Sequence, residues 1–177
     1  MQPRKVLAEA RSDPQRSARP KTPAGDGARL EFGQLGERLG YALRRAQVAV
    51  FQDFDAVFEA VDIRPVQYSI LTLIENNPGA SQTRISDALG IKKPNFVAML
   101  DVLEGRGLVR RAATPGDRRT YALFLTDAGR TFMRRLHKLA ARQEQSIIDI
   151  VGADAHARLF GELRAIASLN KRLPSKA

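Results

Sequence analysis

The chain of 177 residues has no cysteine and no tryptophan, two histidines (His137 and His156) and 6% aromatic residues. The missing cysteine excludes a disulfide scaffold, a thiolate nucleophile, a thiol redox sensor and Cys-ligated zinc. Two histidines leave little for metal or triad chemistry. The sequence holds no His/carboxylate cluster, no glycine-rich phosphate loop and no Ser/His/Asp order at useful spacing. Gly105-Arg106-Gly107 precedes a strand pattern and opens no helix, so it fails the dinucleotide-binding pattern. The expectation is a protein that is not an enzyme, with no cofactor and no metal. No run approaches the roughly 20 apolar residues that span a bilayer, and no apolar secretory stretch stands near residue 1. A soluble, cytoplasmic protein without membrane contact is the expectation.

What is abundant is positive charge. Lys and Arg number 29 against 19 Asp and Glu, net +10 with a pI near 10.6, which suggests a polyanionic partner. The charge is unevenly placed. Residues 1–30 hold seven basic and three acidic groups among Pro, Ser and Gly and read as a disordered basic tail. Residues 31–90 are net −3, residues 91–119 net +4, and residues 120–177 net +5.

Hydrophobic period defines the elements. From about Gly33 to Val61 the apolar positions recur at steps of three and four, which predicts one long amphipathic helix, broken at Pro65. A second helix runs from about Val66 to Glu75 and stops at Asn76-Asn77-Pro78-Gly79. Ser81 caps a short third helix closed by Gly90, and Pro94 opens a fourth with Phe96, Leu100 and Leu103 on one face. Two short helices joined through a glycine turn have the form of a helix-turn-helix, whose second helix can enter a major groove. Two short strands then flank Thr114-Pro115-Gly116-Asp117, and a basic-tipped hairpin after a helix-turn-helix is a winged helix. Thr126 caps a long helix that ends at Gly152, and a last helix runs from about Ala155 to Leu173.

The first helix and the last two hold more apolar positions than one winged helix covers. The surplus calls for a second chain, and two-fold dimers are the commonest oligomers. The expected architecture is mainly α with a small β wing. Residues 1–30 form the tail, 31–62 a dimerisation helix, 63–126 the winged helix-turn-helix lobe, and 127–173 the C-terminal dimerisation helices.

These residues resemble the MarR family of winged-helix transcription regulators. The likeness runs from Arg64-Pro65-Val66-Gln67-Tyr68 through Ile85-Ser86-Asp87-Ala88-Leu89-Gly90 and Gly107-Leu108-Val109-Arg110-Arg111. It ends at Pro115-Gly116-Asp117-Arg118-Arg119 and Leu125-Thr126-Asp127-Ala128-Gly129. The combination of an Asp-x-Arg wing and a Leu-Thr-x-x-Gly helix start is specific, whereas Gly-Leu-Val-Arg alone is weak. The resemblance implies a homodimer on a palindromic double-stranded DNA operator, repression of nearby genes, and a small effector held between the dimerisation helices and the DNA-binding lobe. Relatives respond to aromatic carboxylates and their CoA thioesters. The absent cysteine excludes the thiol switch of some of them.

In the family pattern Asp117 orients the wing while Arg118 and Arg119 stand at its tip, Arg119 reaching a narrow minor groove whose potential attracts guanidinium; the plain alternative is a solvated hairpin tip. Lys92 and Lys93 stand near phosphates at the start of the recognition helix, and Asn95 suits a bidentate contact to adenine. Pro94, Val97 and Ala98 occupy positions commonly Ser, Thr or Arg, which moves readout from polar contacts toward methyl contacts with thymine; simple packing of Val97 weighs equally. Ser81, Gln82 and Thr83 are phosphate candidates, Ser81 also a plain cap. Arg110 and Arg111 flank the duplex backbone unless one forms an internal ion pair. Tyr41, Arg44, Arg45, Phe51, Phe54, Tyr68 and His137 are effector-pocket candidates, against the plainer reading that such rings are core and His137 is packed or on the surface. Gly36 and Gly40 are read as permitting close helix packing. The competing function is a winged helix used for protein contact, or as an architectural DNA-binding module without an effector.

Overall fold

The computed structural model describes residues 30–114 and 117–171, with the backbone alone for residues 114, 117–120, 170 and 171. The expected tail, apart from Leu30, and the Pro115-Gly116 turn lie outside the described residues. Residues 30–38 form a unit of their own, a 3-10 turn over Gly33–Glu37 in which the Leu35 amide bonds the Phe32 carbonyl at 3.0 Å.

The second unit begins with α1 (Leu39–Phe58), α2 (Pro65–Asn76), α3 (Gln82–Ala88) and α4 (Lys93–Gly105). An antiparallel hairpin of β1 (Val109–Thr114) and β2 (Asp117–Leu125) follows, then α5 (Asp127–Val151) and α6 (Ala153–Ala167). A mainly helical chain with a two-stranded wing was expected, and that is the architecture found.

Two helix limits differ from expectation. The single helix from Gly33 to Val61 is interrupted, because Arg38 takes an extended conformation with ψ 125°, and it ends in a 3-10 turn over Glu59–Val61. Gly33 at φ +49° and glycines 36 and 40 offer the helix little intrinsic support there. A Cβ at Gly40 would meet nothing within 4 Å, so close packing at this position is not found. The last helix stops at Ala167 and gives way to a 3-10 turn over Ser168–Lys171.

One buried cluster joins the elements of this unit from α1 to mid-α5. Phe54 and Phe58 of α1, Ile70 and Leu71 of α2, Phe96 and Leu100 of α4, Leu123 of β2, and Met133 and Leu136 of α5 are buried together. Each contributes roughly 1.5 to 3 kcal/mol by leaving water. The hairpin is also flanked by residues 79–81: the Gly79 amide donates to the Leu123 carbonyl at 2.8 Å and the Leu123 amide to Ala80 at 3.0 Å.

The start of α5 is fixed tightly to the wing base. Thr126 Oγ1 accepts from the Gly129 amide at 2.9 Å as the N-cap and donates to the Gly107 carbonyl at 2.6 Å. A Cβ at Gly129 would stand 2.0 Å from the Leu108 carbonyl oxygen. Only a residue without a side chain lets helix and turn meet this closely. That contact is the physical content of the Leu-Thr-x-x-Gly motif.

The C-terminal half of the fold is different. No residue of α6 is buried, and Leu159, Phe160 and Leu163 of α6 together with Ile150 and Leu39 are exposed in the single chain. Ile150 is 83% exposed. His156 Nε2 and Glu144 Oε1, 2.6 Å apart, tie α6 to α5.

Candidate nucleic-acid interface

Helix α4 is two-faced. Phe96, Leu100 and Leu103 are fully buried on one side, whereas Lys92, Lys93, Pro94, Asn95, Val97 and Ala98 are all exposed. Val97 is 40% exposed, so its packing alternative is set aside. Lys92 is the N-cap and makes no side-chain cap bond, and Pro94 lies in the first turn. The helix start therefore presents amide N–H groups, the positive end of the helix dipole and two lysine side chains together, which favours an anion.

Helix α3 stands just before it. Ser81 is half-buried, its hydroxyl accepts from the Arg84 amide at 3.3 Å and its backbone bridges to Ala122. Gln82 is half-buried and Thr83 exposed. Arg84, exposed on the same short helix, was not among the sequence candidates.

Arg110 and Arg111 are separated by the pleat. β1 pairs Arg110 with Phe124 and Arg111 with Leu123, and successive residues of a strand face opposite sides. Arg111 therefore lies on the face of buried Val109 and Leu123, where it meets α4. Its Nη2 is 2.5 Å from Asp101 Oδ1 and its Nη1 2.9 Å from Glu104 Oε2. The expectation that Arg111 flanks a duplex is corrected: its guanidinium is committed to two carboxylates, and the internal-pair alternative holds for it. Arg110 faces the other way, stacked 4.4 Å over the Phe124 ring, and stays exposed.

Arg106 is also engaged within the lobe, although exposed. It donates from Nη1 to the Asp62 carbonyl at 2.6 Å and from Nη2 to the Val61 carbonyl at 3.0 Å. It thereby satisfies the end of the turn after α1, where Asp62 takes a left-handed φ of +48°. The basic block of residues 91–119 is thus two populations. Lys92, Lys93 and Arg110 are presented to solvent, while Arg106 and Arg111 hold the lobe together. The side chains of Asp117, Arg118 and Arg119 lie outside the described residues.

The effector candidates divide similarly. Phe54 stacks on Phe58 at 3.8 Å, Tyr68 lies 6.0 and 5.6 Å from these rings, and His137 meets Tyr68 edge-on at 6.4 Å. His137 Nε2 is 2.7 Å from Glu75 Oε2, a bond joining α5 to α2. Tyr41 is half-buried, and Arg44, Arg45 and Phe51 are exposed on α1, outside this ring cluster. Among the described residues no group of three or more His, Asp or Glu side chains could hold a metal ion, and no helix is long and apolar enough to cross a membrane.

Comparison with known proteins agrees with this geometry. The sequence model of the MarR family matches residues 61–120. A Thauera aromatica protein assigned to transcriptional regulation of the hcr operon is 30% identical over 161 residues, 90% of this chain and 97% of that one. The structure of the transcriptional repressor CouR bound to a 23-mer DNA duplex superposes with a TM-score of 0.76 at 48% identity, covering 79% of this chain and 99% of CouR. CouR bound to p-coumaroyl-CoA superposes at 0.74 with 46% identity, covering 78% and 98%.

Proposed function

Because this chain belongs to the MarR family and is a transcriptional regulator of that type, we propose that it is a homodimeric repressor that binds a palindromic DNA operator and leaves it when a small effector binds. The observation that carries the DNA reading is the exposed N-terminal face of α4, where Lys92, Lys93, Asn95, Val97 and Ala98 stand together on a helix whose other face is buried. Lysines and helix-start amides would meet phosphates, Asn95 a base edge, and Val97 and Ala98 thymine methyls. Arg118 and Arg119 would follow the adjacent minor groove, with Asp117 orienting the wing. Ser81, Gln82 and Thr83 would add backbone contacts, whereas Arg110 lies on the wing face away from α4.

Dimerisation would enclose the apolar side chains that α1, α5 and α6 expose, and residues 31–62 and 127–173 would supply that lobe. For the effector we favour an aromatic acyl-CoA, since a relative at 46% identity is known bound to p-coumaroyl-CoA. Its acyl end would approach Phe54, Tyr68 and His137, with Tyr41, Arg44, Arg45 and Phe51 of α1 at the margin.

The test is selection of operator sequences from random duplexes, followed by footprinting. A two-fold symmetric footprint that an aromatic acyl-CoA releases is the expected result. Binding without sequence preference, or an interaction insensitive to salt, would overturn it in favour of an architectural or protein-contact role.

A further inference from the structure

On the wing face opposite Arg111 lies a cleft of about 280 Å³. Its floor is apolar, from Ile74, Phe124 and Leu125, and three guanidinium groups border it: Arg110 of β1 and Arg130 and Arg134 of α5. Arg110 is spread over the Phe124 ring. Arg130 is fixed by donating from Nη1 to the Leu125 carbonyl at 2.9 Å and by pairing with Asp127. Arg134 Nη2 donates to Thr131 Oγ1 at 3.0 Å. Among the described residues neither Arg110 nor Arg134 has a carboxylate partner. The one acid lining the cleft among them, Glu75, is already bonded to His137.

With Arg130 paired to Asp127, Arg110 and Arg134 are left, among the described residues, as two cations beside one recess without a carboxylate of their own, and guanidinium groups take phosphate oxygens in bidentate fashion. An aromatic ring with an arginine laid on it also makes a stacking platform for a heterocyclic base. No residue of α3 or α4 lines the cleft. A duplex seated on the exposed face of α4 would thus lie across the sheet from it, which argues for a diffusible ligand. At 280 Å³ the space falls just below the roughly 300 to 1,000 Å³ that hold a whole ligand, so it suits one end of a longer one. Glu75 leads to the other end. Its partner His137 packs on Tyr68, which lies seven residues, about 10 Å, back along α2.

We propose that this cleft binds the diphosphate-bearing nucleotide end of the effector, with phosphates held by Arg110, Arg130 and Arg134, while the acyl end lies at the Tyr68 cluster. The inference rests on the acyl-CoA reading above. It is tested on the full chain by calorimetric titration with coenzyme A and with pantetheine, which keeps the arm but lacks the phosphates. Arg134→Glu and Arg134→Ala are compared with wild type, with thermal melts to verify folding. Wild type should bind coenzyme A at least about tenfold more tightly than pantetheine. Arg134→Glu should lose about tenfold toward coenzyme A, Arg134→Ala less, and both should keep selected-operator affinity within about twofold. Equal coenzyme A affinity in wild type and Arg134→Glu overturns the cleft while leaving the regulator reading intact. A matching loss of operator affinity in Arg134→Glu also overturns it and assigns the cleft to DNA phosphates. Wild type that selects no operator overturns the regulator reading and the cleft with it.

Discussion

Arg111 of the wing strand closes on Asp101 of α4 at 2.5 Å, and its other terminal nitrogen takes Glu104 at 2.9 Å. One side chain thus locks the angle between wing and helix. It also neutralises Asp101, which is exposed one turn beyond Val97 on α4. Arg111→Ala should destabilise the fold by about 1 to 2 kcal/mol, since both acids are partly exposed and only the arginine stem is well covered. It should also weaken operator binding through the uncovered Asp101, and Asp101→Asn on that background should restore part of the loss. Denaturant titration and fluorescence anisotropy read the two effects; no recovery in the double variant refutes the electrostatic part.

Gly129→Ala should cost about 3 kcal/mol or more, because the added Cβ lands 2.0 Å from a backbone oxygen with no flexible neighbour to yield. Thr126→Ala should cost about 1 kcal/mol as a lost cap. A melting temperature for Gly129→Ala equal to wild type would mean that helix and turn separate more easily than this contact implies.

Operator affinity should be steeply salt-dependent. A dimer neutralising about eight phosphates loses about four decades between 50 and 200 mM salt. Lys92→Gln with Lys93→Gln should reduce the log–log slope by roughly 3 to 4 for the dimer while leaving sequence preference unchanged. Arg119→Ala should cost roughly 1 to 3 kcal/mol of specific binding. An unchanged gel-shift titration for that variant sinks the wing contact.

Assembly should depend on the apolar face of α6. Phe160→Glu with Leu163→Glu, both changes at exposed positions of the single chain, should give a folded monomer in sedimentation. Removing residues 155–177 should abolish the dimer, whereas removing residues 1–30 should not. A dimer that survives the paired glutamates refutes this interface.

Periodicity and punctuation made most of the fold legible. Pro65, Ser81, Pro94 and Thr126 each stand at a helix start, and Gly90, Gly107 and Gly152 take positive φ where helices end. The long first helix was misjudged because apolar spacing continues through Arg38 while the backbone turns. The exposed face of α4 was readable, since burial of Phe96, Leu100 and Leu103 dictates what remains outside. The opposite fates of Arg110 and Arg111 follow from strand alternation once β1 is anchored at Val109. The Arg106 bonds to residues 61 and 62 span more than forty positions, and no local pattern announces them. The same holds for Arg130 and Arg134, which look like ordinary solvated helix charges until folding brings them beside Arg110 and Phe124.

The fused junction at Gly129 gives α5 a mechanical role. With 25 residues the helix is about 37 Å long, and its first turn is seated on the base of the wing. A tilt of about 5° imposed at its far end would swing the wing by about 3 Å. That is a large part of the distance between a contact and a miss on a duplex backbone. A ligand that wedges between α2 and α5 therefore needs to deform nothing: it tilts an arm to which the wing is fastened at a glycine.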